Sequence, residues 1–492
     1  MDAEVKQKDW MFLLVCLGLG VLAELSFFHG MIGVSYLVFL TGFYGVVFYR
    51  FRQTFTHRRI GLLVMVCIWM LAAGYLLYDN VFFYVLNLLA IPFLVYFHIV
   101  LITSPNNLKW SRPKFAVRLA AKFGQGMKYC AFFFNKTFRR VFRNLNEQTA
   151  QTVKRVLVGL VIGVPLLFLI TALLMSADAV FQEMILELPM FILDLNFLES
   201  VFRTAAVMIF TFLFFGILQV LVVKTKKSSP KPVQESGTTA ISLNSVTAVT
   251  ILILLNTVYV LFAVVQFTYF FGDGLQEGYT FAEYARRGFF ELVIVTMINW
   301  TILICCLKLI TDMRDSMKRF LKLMYSLLII VSGVMLASAY QRLSMYEAAY
   351  GFTLDRLLAH AFMIFLMVIF AYTLIRVWIE GIELLHFYLI AGLICYTVLN
   401  VVHIEQLVVE ENLERYEDTG KLDIHYLNTL GYTGIEGLIE LYKQEPEYPE
   451  LERILYYRQL HMKEQTLNSW QSYNFTKRDV REELMKLDLE RQ

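Results

Sequence analysis

Charge is scarce in this chain. Asp, Glu, Lys and Arg make up 17% of its 492 residues while apolar types reach 58%, against about a quarter charged in an ordinary soluble domain. A globule has too little interior to hide such an excess, so lipid is the natural solvent. Cysteine is sparse as well. Cys16, Cys67, Cys130, Cys305, Cys306 and Cys395 contain no C-x-x-C pair, and all but Cys130 lie in apolar runs. That excludes a disulfide framework and a zinc–thiolate site. Of the nine prolines, only Pro92 and Pro165 interrupt apolar runs, so the broken-helix pairs that mark midplane transport sites are missing. There is no H-E-x-x-H, G-x-S-x-G or P-loop, which leaves enzymatic activity without motif support and implies no cofactor or metal.

What is present is a series of long apolar runs. A helix needs about 20 such residues to cross a bilayer, and that ruler gives eleven spans: 11–28, 31–49, 60–78, 81–102, 156–175, 201–223, 246–271, 289–310, 324–340, 361–378 and 384–402. The expected fold is an all-α, polytopic transmembrane helix bundle with a small C-terminal α-helical soluble domain. The first run carries Glu24 and lacks a small-x-small cleavage site, so it reads as a retained helix.

Basic residues in short loops orient the bundle. The loops 50–59, 103–155 and 224–231 are rich in Lys and Arg, whereas 176–199 holds Asp178, Glu183, Glu187, Asp194 and Glu199 without a base. The N-terminus is therefore expected in the cytoplasm and the tail outside the cell membrane. The domain reading follows: a four-helix block over 1–102, a basic interfacial segment over 103–155, two spans with an acidic outer loop over 156–227, a flexible linker over 228–244, a five-helix block over 245–402, and the tail over 403–492. Within the basic segment, 113–144 alternates aromatics with Lys and Arg. It reads either as a helix on an anionic leaflet or as a solvated loop.

After residue 403 the composition turns polar and acidic but keeps helical spacing. Asp423 is placed to cap 424–430, and Gly431 and Gly434 punctuate before 435–442. The run Asn412-Leu-Glu-Arg415-Tyr416, continuing through Thr419, Gly420 and Asp423 to Tyr426 and Leu427, forms a distinctive signature. Four more stretches accompany it: Ser176-Ala-Asp178, Arg287-Gly288-Phe-Phe-Glu291, Tyr350-Gly351-Phe-Thr353-Leu-Asp-Arg356, and Trp470-Gln-Ser-Tyr-Asn474-Phe-Thr476. Together they resemble the bacterial membrane-protein family named domain of unknown function 4173, with Phe352 and Phe475 standing where Leu is expected. The resemblance implies the architecture and a bacterial origin, and no activity.

Two clusters invite a ligand. Between spans nine and ten lie Arg342, Tyr346, Glu347, Tyr350, Thr353, Arg356 and His360. A helix starting at Thr353 would put Arg356 and His360 on one face, where Arg offers a planar fork of donors to an anionic group. The competing reading is an interfacial belt of snorkelling Arg and anchoring Tyr. Arg286, Arg287 and Glu291 form the second cluster; Arg287–Glu291 is an i,i+4 pair, with Asp178 or Glu283 as an inter-loop partner. Inside the spans, Glu24, Asn87, His98, Asn256, Gln266 and Asn299 are the notable polar residues; Asn256, Gln266 and Asn299 read as interhelical glue, and Glu24 as a functional candidate. His403, Glu405, Glu410 and Glu411 read as solvated groups more than metal ligands. The expected partners are membrane lipids and an extracytoplasmic protein or anionic ligand. Nucleic acid is excluded, because the basic segment abuts the membrane and the tail is acidic. The function reads as permease-like or lipid-interacting, with an envelope scaffold or sensor as the alternative.

Overall fold

The computed structural model describes residues 7–51, 55–141, 195–222, 245–271, 289–309, 315–464 and 469–489, together with scattered positions between 152 and 178. These residues form sixteen α-helices and no strand. They are α1 (Gln7–Phe27), α2 (Val34–Phe51), α3 (Arg58–Leu77), α4 (Val81–Ile102), α5 (Pro113–Val141), α6 (Leu195–Val222), α7 (Ser245–Phe271) and α8 (Phe289–Leu309), followed by α9 (Asp315–Tyr350), α10 (Leu354–Trp378) and α11 (Leu384–Val401). The tail adds α12 (Ile404–Thr419), α13 (Ile424–Thr429), α14 (Gly431–Gln444), α15 (Leu451–Glu464) and α16 (Phe475–Lys486). Ten helices, α1–α4 and α6–α11, are long and apolar enough to span a bilayer. Large side chains such as Leu89, Phe93, Leu254 and Leu261 stay exposed along them, as a surface solvated by lipid tails requires. The chain is an all-α multi-pass membrane protein. The remaining expected span, 156–175, lies largely outside the described residues.

The chain divides into two compact units. One comprises Met1–Leu76, Leu88–Lys226 and Thr466–Asn474, the other Leu77–Asn87, Lys227–Gln465 and Phe475–Gln492.

In the first unit small residues let helices approach closely. A methyl group on Gly20 of α1 would collide with Thr211 Oγ1 of α6, and one on Gly216 of α6 would collide with Cys130 of α5. The helix α5 bears on one of the two readings of 113–144, that of a solvated loop. It buries Gly126, Tyr129 and Phe133, spaced for one helical face. Phe133 and Phe215 of α6 stack edge to face at 4.8 Å, and the Cys130 thiol reaches Phe212 O at 2.9 Å. The segment is therefore not a solvated loop; its lysines Lys128 and Lys136 stay on the exposed side. Several polar groups inside this unit are paired. Arg50 and Asp9 bracket the Gln219 amide at 2.9 and 2.7 Å, Tyr44 meets His98 at 3.0 Å, and Glu24 lies 3.5 Å from His29 and 3.8 Å from Arg203. The stretch Trp470–Asn474 belongs here too: Tyr473 O accepts from Val34 N at 3.1 Å, and Asn474 donates to Tyr75 O at 2.9 Å.

In the second unit a core of Leu252, Leu303, Leu328, Leu336, Leu366 and Phe370 joins α7–α10. Asn299 donates to Ser332 at 2.9 Å and Asn256 to Met324 O at 3.1 Å. Asn87 donates to Asn400 at 2.6 Å while accepting from Tyr396 at 2.7 Å. The contacts of Asn256 and Asn299 fit the interhelical-glue reading; the side chain of Gln266 lies outside the described residues. The tail helices close around Val408, Leu427, Leu438, Leu455 and Leu484. Asp423 caps α13 by accepting from Tyr426 N at 2.9 Å. Gly434, expected as punctuation, instead sits inside α14, where a methyl group would collide with Leu427 O. Only Gly431, at φ +65°, makes the break.

Candidate functional site

The two ligand clusters fare differently. Arg286 and Arg287 lie outside the described residues, as do Glu283 and Ser176; Asp178 and Glu291 are described and exposed. The other cluster is fully described, and its setting departs from the sequence reading. The stretch 341–350 is no loop: α9 runs unbroken to Tyr350, and Gly351–Thr353 alone link it to α10. Hydropathy falls at the membrane edge, but Arg, Met, Glu and Ala are good helix formers, so the helix outlasts the apolar run.

The tail clamps this turn. Arg415 of α12 donates from Nε to Ala348 O at 3.0 Å and from Nη2 to Ala349 O at 2.9 Å, supplying orphan carbonyls of the last turn of α9 with a cation at its negative end. Its third bond goes to Lys421 O at 3.0 Å. Asn412 accepts from Phe352 N at 3.0 Å and donates to Phe352 O at 2.8 Å, pairing like a strip of sheet. Gly351 adopts φ +85°, and a methyl group there would stand 2.6 Å from Asn412 Oδ1, so both conformation and space call for glycine. The Tyr426 hydroxyl accepts from Leu354 N at 2.8 Å in the first turn of α10. Tyr416 reaches Glu445 at 2.6 Å. The two signature stretches around Gly351 and Asn412 thus face each other across about 60 positions of sequence.

Three further contacts dock the tail. Asp79, in the turn between α3 and α4, pairs with Lys477 at 3.1 Å and accepts from Tyr432 N at 2.9 Å. His403 stacks on Tyr78 at 4.5 Å in a left-handed conformation (φ +38°). Its ring nitrogens meet Gln406 at 3.0 Å and Thr433 at 3.1 Å. Both nitrogens are thus occupied, and no group of three metal-type side chains comes together among the described residues. Sequence reasoning missed Asp79, whose only signal is an acid in a very short turn between two spans.

Beside the clamp opens a cavity of about 880 Å³. Its walls come from spanning helices (Leu343 and Tyr346 of α9, Ala359 of α10) and from the tail (Thr429 of α13), with Phe82 and Phe290 also lining it. Phe82 and Phe290 are exposed large apolar residues, so this edge meets the lipid-facing surface. Three lining groups carry charge: Asp355, Arg356 and Glu405.

Arg356 and His360 do not act as a pair. The Arg356 guanidinium sits over the Tyr346 ring, 4.4 Å from its centre, and donates to Gly351 O. His360 instead stacks on Tyr340 at 4.2 Å, with Nε2 3.6 Å from Glu347. Neighbours one turn apart thus find different partners. Arg342 and Tyr350 lie on the same helix, Tyr350 4.9 Å from Tyr346. Among the described residues Arg356 forms no ion pair. Glu405 is 1% exposed, and neither of its oxygens meets a hydrogen-bond donor from another described residue. Burial, with a smaller push from Asp79, raises its carboxyl to about 7.

Fold and site together define a multi-pass membrane protein whose polar tail is pinned to the ends of its own spanning helices, with a charged cavity beside the joint. The chain belongs to the family described as a domain of unknown function, DUF4153, whose model matches residues 65–441. This corrects the family number read from the signature strings, since short motifs do not separate one uncharacterised family from another as a match over most of the chain does. No curated protein and no solved structure matches.

Proposed function

We propose that this protein sits in the cell membrane of a bacterium, as the sequence resemblance implies, and binds a membrane amphiphile in the cavity beside the α9–α10 turn. The observation that carries this reading is the lining itself. Apolar walls reach the lipid-facing edge through Phe82 and Phe290, while Arg356 and Glu405 bring charge to the same space. Lipid tails favour the first and a headgroup the second.

Sidedness supports the same reading. In the eleven-span topology, the turns after spans three and nine and the tail all lie outside. The tail's contacts with Asp79 and with Gly351–Phe352 are compatible with such a topology, which puts all three on one side. The cavity then opens at the outer interface. Because Glu405, Tyr426 and Thr429 belong to the tail, occupancy is felt directly by the extracytoplasmic domain.

The test uses the full chain, stripped of lipid in detergent. Adding phospholipid should raise its melting temperature by about 3 °C or more, as a ligand bound to the native state does. Ala359→Trp, which fills the cavity from α10, should remove that rise. An equal rise in both chains, or none in either, would count against the cavity.

A further inference from the structure

Of the cavity's three charged groups Asp355 is exposed; Arg356 and Glu405 are unmatched in opposite senses, and this narrows the ligand beyond "amphiphile". Arg356 spends one N–H on Gly351 O and its face on Tyr346. Its other N–H groups bond to no described residue. The Tyr426 hydroxyl accepts from Leu354 N, which leaves its own proton to donate. This wall suits an anion with several acceptor oxygens, such as a phosphate. Glu405 has the opposite need. A carboxylate this buried is costly without a cation or donors, and none reaches it from another described residue.

Resting on the amphiphile reading, we propose that the ligand is a zwitterionic phospholipid with a primary ammonium group, its phosphate on Arg356 and its ammonium on Glu405. The chemistry separates three headgroups. A purely anionic one satisfies Arg356 but leaves Glu405 unmatched beside added negative charge. A quaternary ammonium brings charge without N–H donors, so the carboxylate oxygens keep no hydrogen bond. A primary ammonium supplies both. Free phosphoethanolamine shares the polar chemistry but not the chains, and the apolar walls favour the lipid.

The experiment is a lipid titration of the full chain in detergent, read by native mass spectrometry. Phosphatidylethanolamine should bind about tenfold more tightly than phosphatidylglycerol or phosphatidylcholine, and phosphoethanolamine should compete only at about hundredfold higher concentration. Glu405→Gln, which removes a buried charge without changing shape, should erase the preference for phosphatidylethanolamine while retaining phosphatidylglycerol. Arg356→Gln should weaken both phospholipids. Equal binding of the three lipids by the unaltered chain, or an unchanged preference in Glu405→Gln, would overturn the ammonium site and leave the amphiphile reading standing. Equal competition by phosphoethanolamine would overturn the lipid as the source of the headgroup. Retention of no phospholipid at all would overturn the amphiphile reading itself.

Discussion

The clamp on the α9–α10 turn and the cavity beside it are built from the same helices, yet they treat polar groups in opposite ways. In the clamp, Asn412 spends its oxygen and both amide hydrogens on backbone of the turn and the tail, and Arg415 uses Nε, Nη1 and Nη2 on carbonyls of α9 and the tail. In the cavity, Glu405 is more buried than Asn412 but meets no donor from another described residue, and Arg356, beyond its bond to Gly351 O, keeps N–H groups that bond to no described residue. Saturated networks hold a structure together; an unsaturated one at the edge of a cavity is a place for something else to bind. The same conformational neighbourhood therefore contains a joint and a site, and satisfaction of hydrogen bonds tells them apart.

Breaking the joint should cost most. Arg415→Ala removes three bonds to carbonyls, two of them at the end of α9, and should destabilise the tail by about 3 kcal/mol. Limited proteolysis would show this as faster cutting in 404–444, with spanning segments still protected. Gly351→Ala should come next, at about 2 kcal/mol, because φ +85° and the 2.6 Å approach to Asn412 both oppose a side chain; thermal melting of the two variants would rank them.

The cavity should respond in the other direction. A carboxyl raised to about 7 in the folded chain binds more protons folded than unfolded between about pH 4.5 and 7. Stability therefore falls as pH rises through that window and levels off above it. Glu405→Gln has no proton to lose, so the lipid-free variant should be more stable than the parent at pH 8 by about 1–2 kcal/mol and equal to it at pH 4. Asp79, His403 and Tyr426 face the same region, so melts across pH should be compared between parent and variant rather than read absolutely. A parent without a Glu405-dependent slope would mean that the carboxyl is already satisfied.

Much of this architecture is legible in the sequence, because burial in lipid forces long apolar runs that a hydropathy ruler finds. Ten spans appear as helices within a few residues of where the runs place them, with α9 and α10 the main exceptions. The ruler measures the membrane's thickness, not the helix's end, so Gln341–Tyr350 reads as loop in the sequence and as helix in the structure. The cap at Asp423 is also legible, since it depends on residues three apart. The joint is not. Gly351 and Asn412 stand out as signature residues, but nothing local says that they touch. Glu405 reads in the sequence as one more solvated acid beside Glu410 and Glu411 for the same reason. Solvated and buried acids look alike until the fold shows which one faces inward.

The most direct measurement of the amphiphile site is photo-crosslinking in native membranes. A photoreactive residue at Thr429, on the tail wall of the cavity, should yield a phospholipid adduct. The same residue at Tyr457, exposed on tail helix α15, should yield none. No lipid adduct at Thr429, or equal yields at the two positions, would contradict a lipid in the cavity.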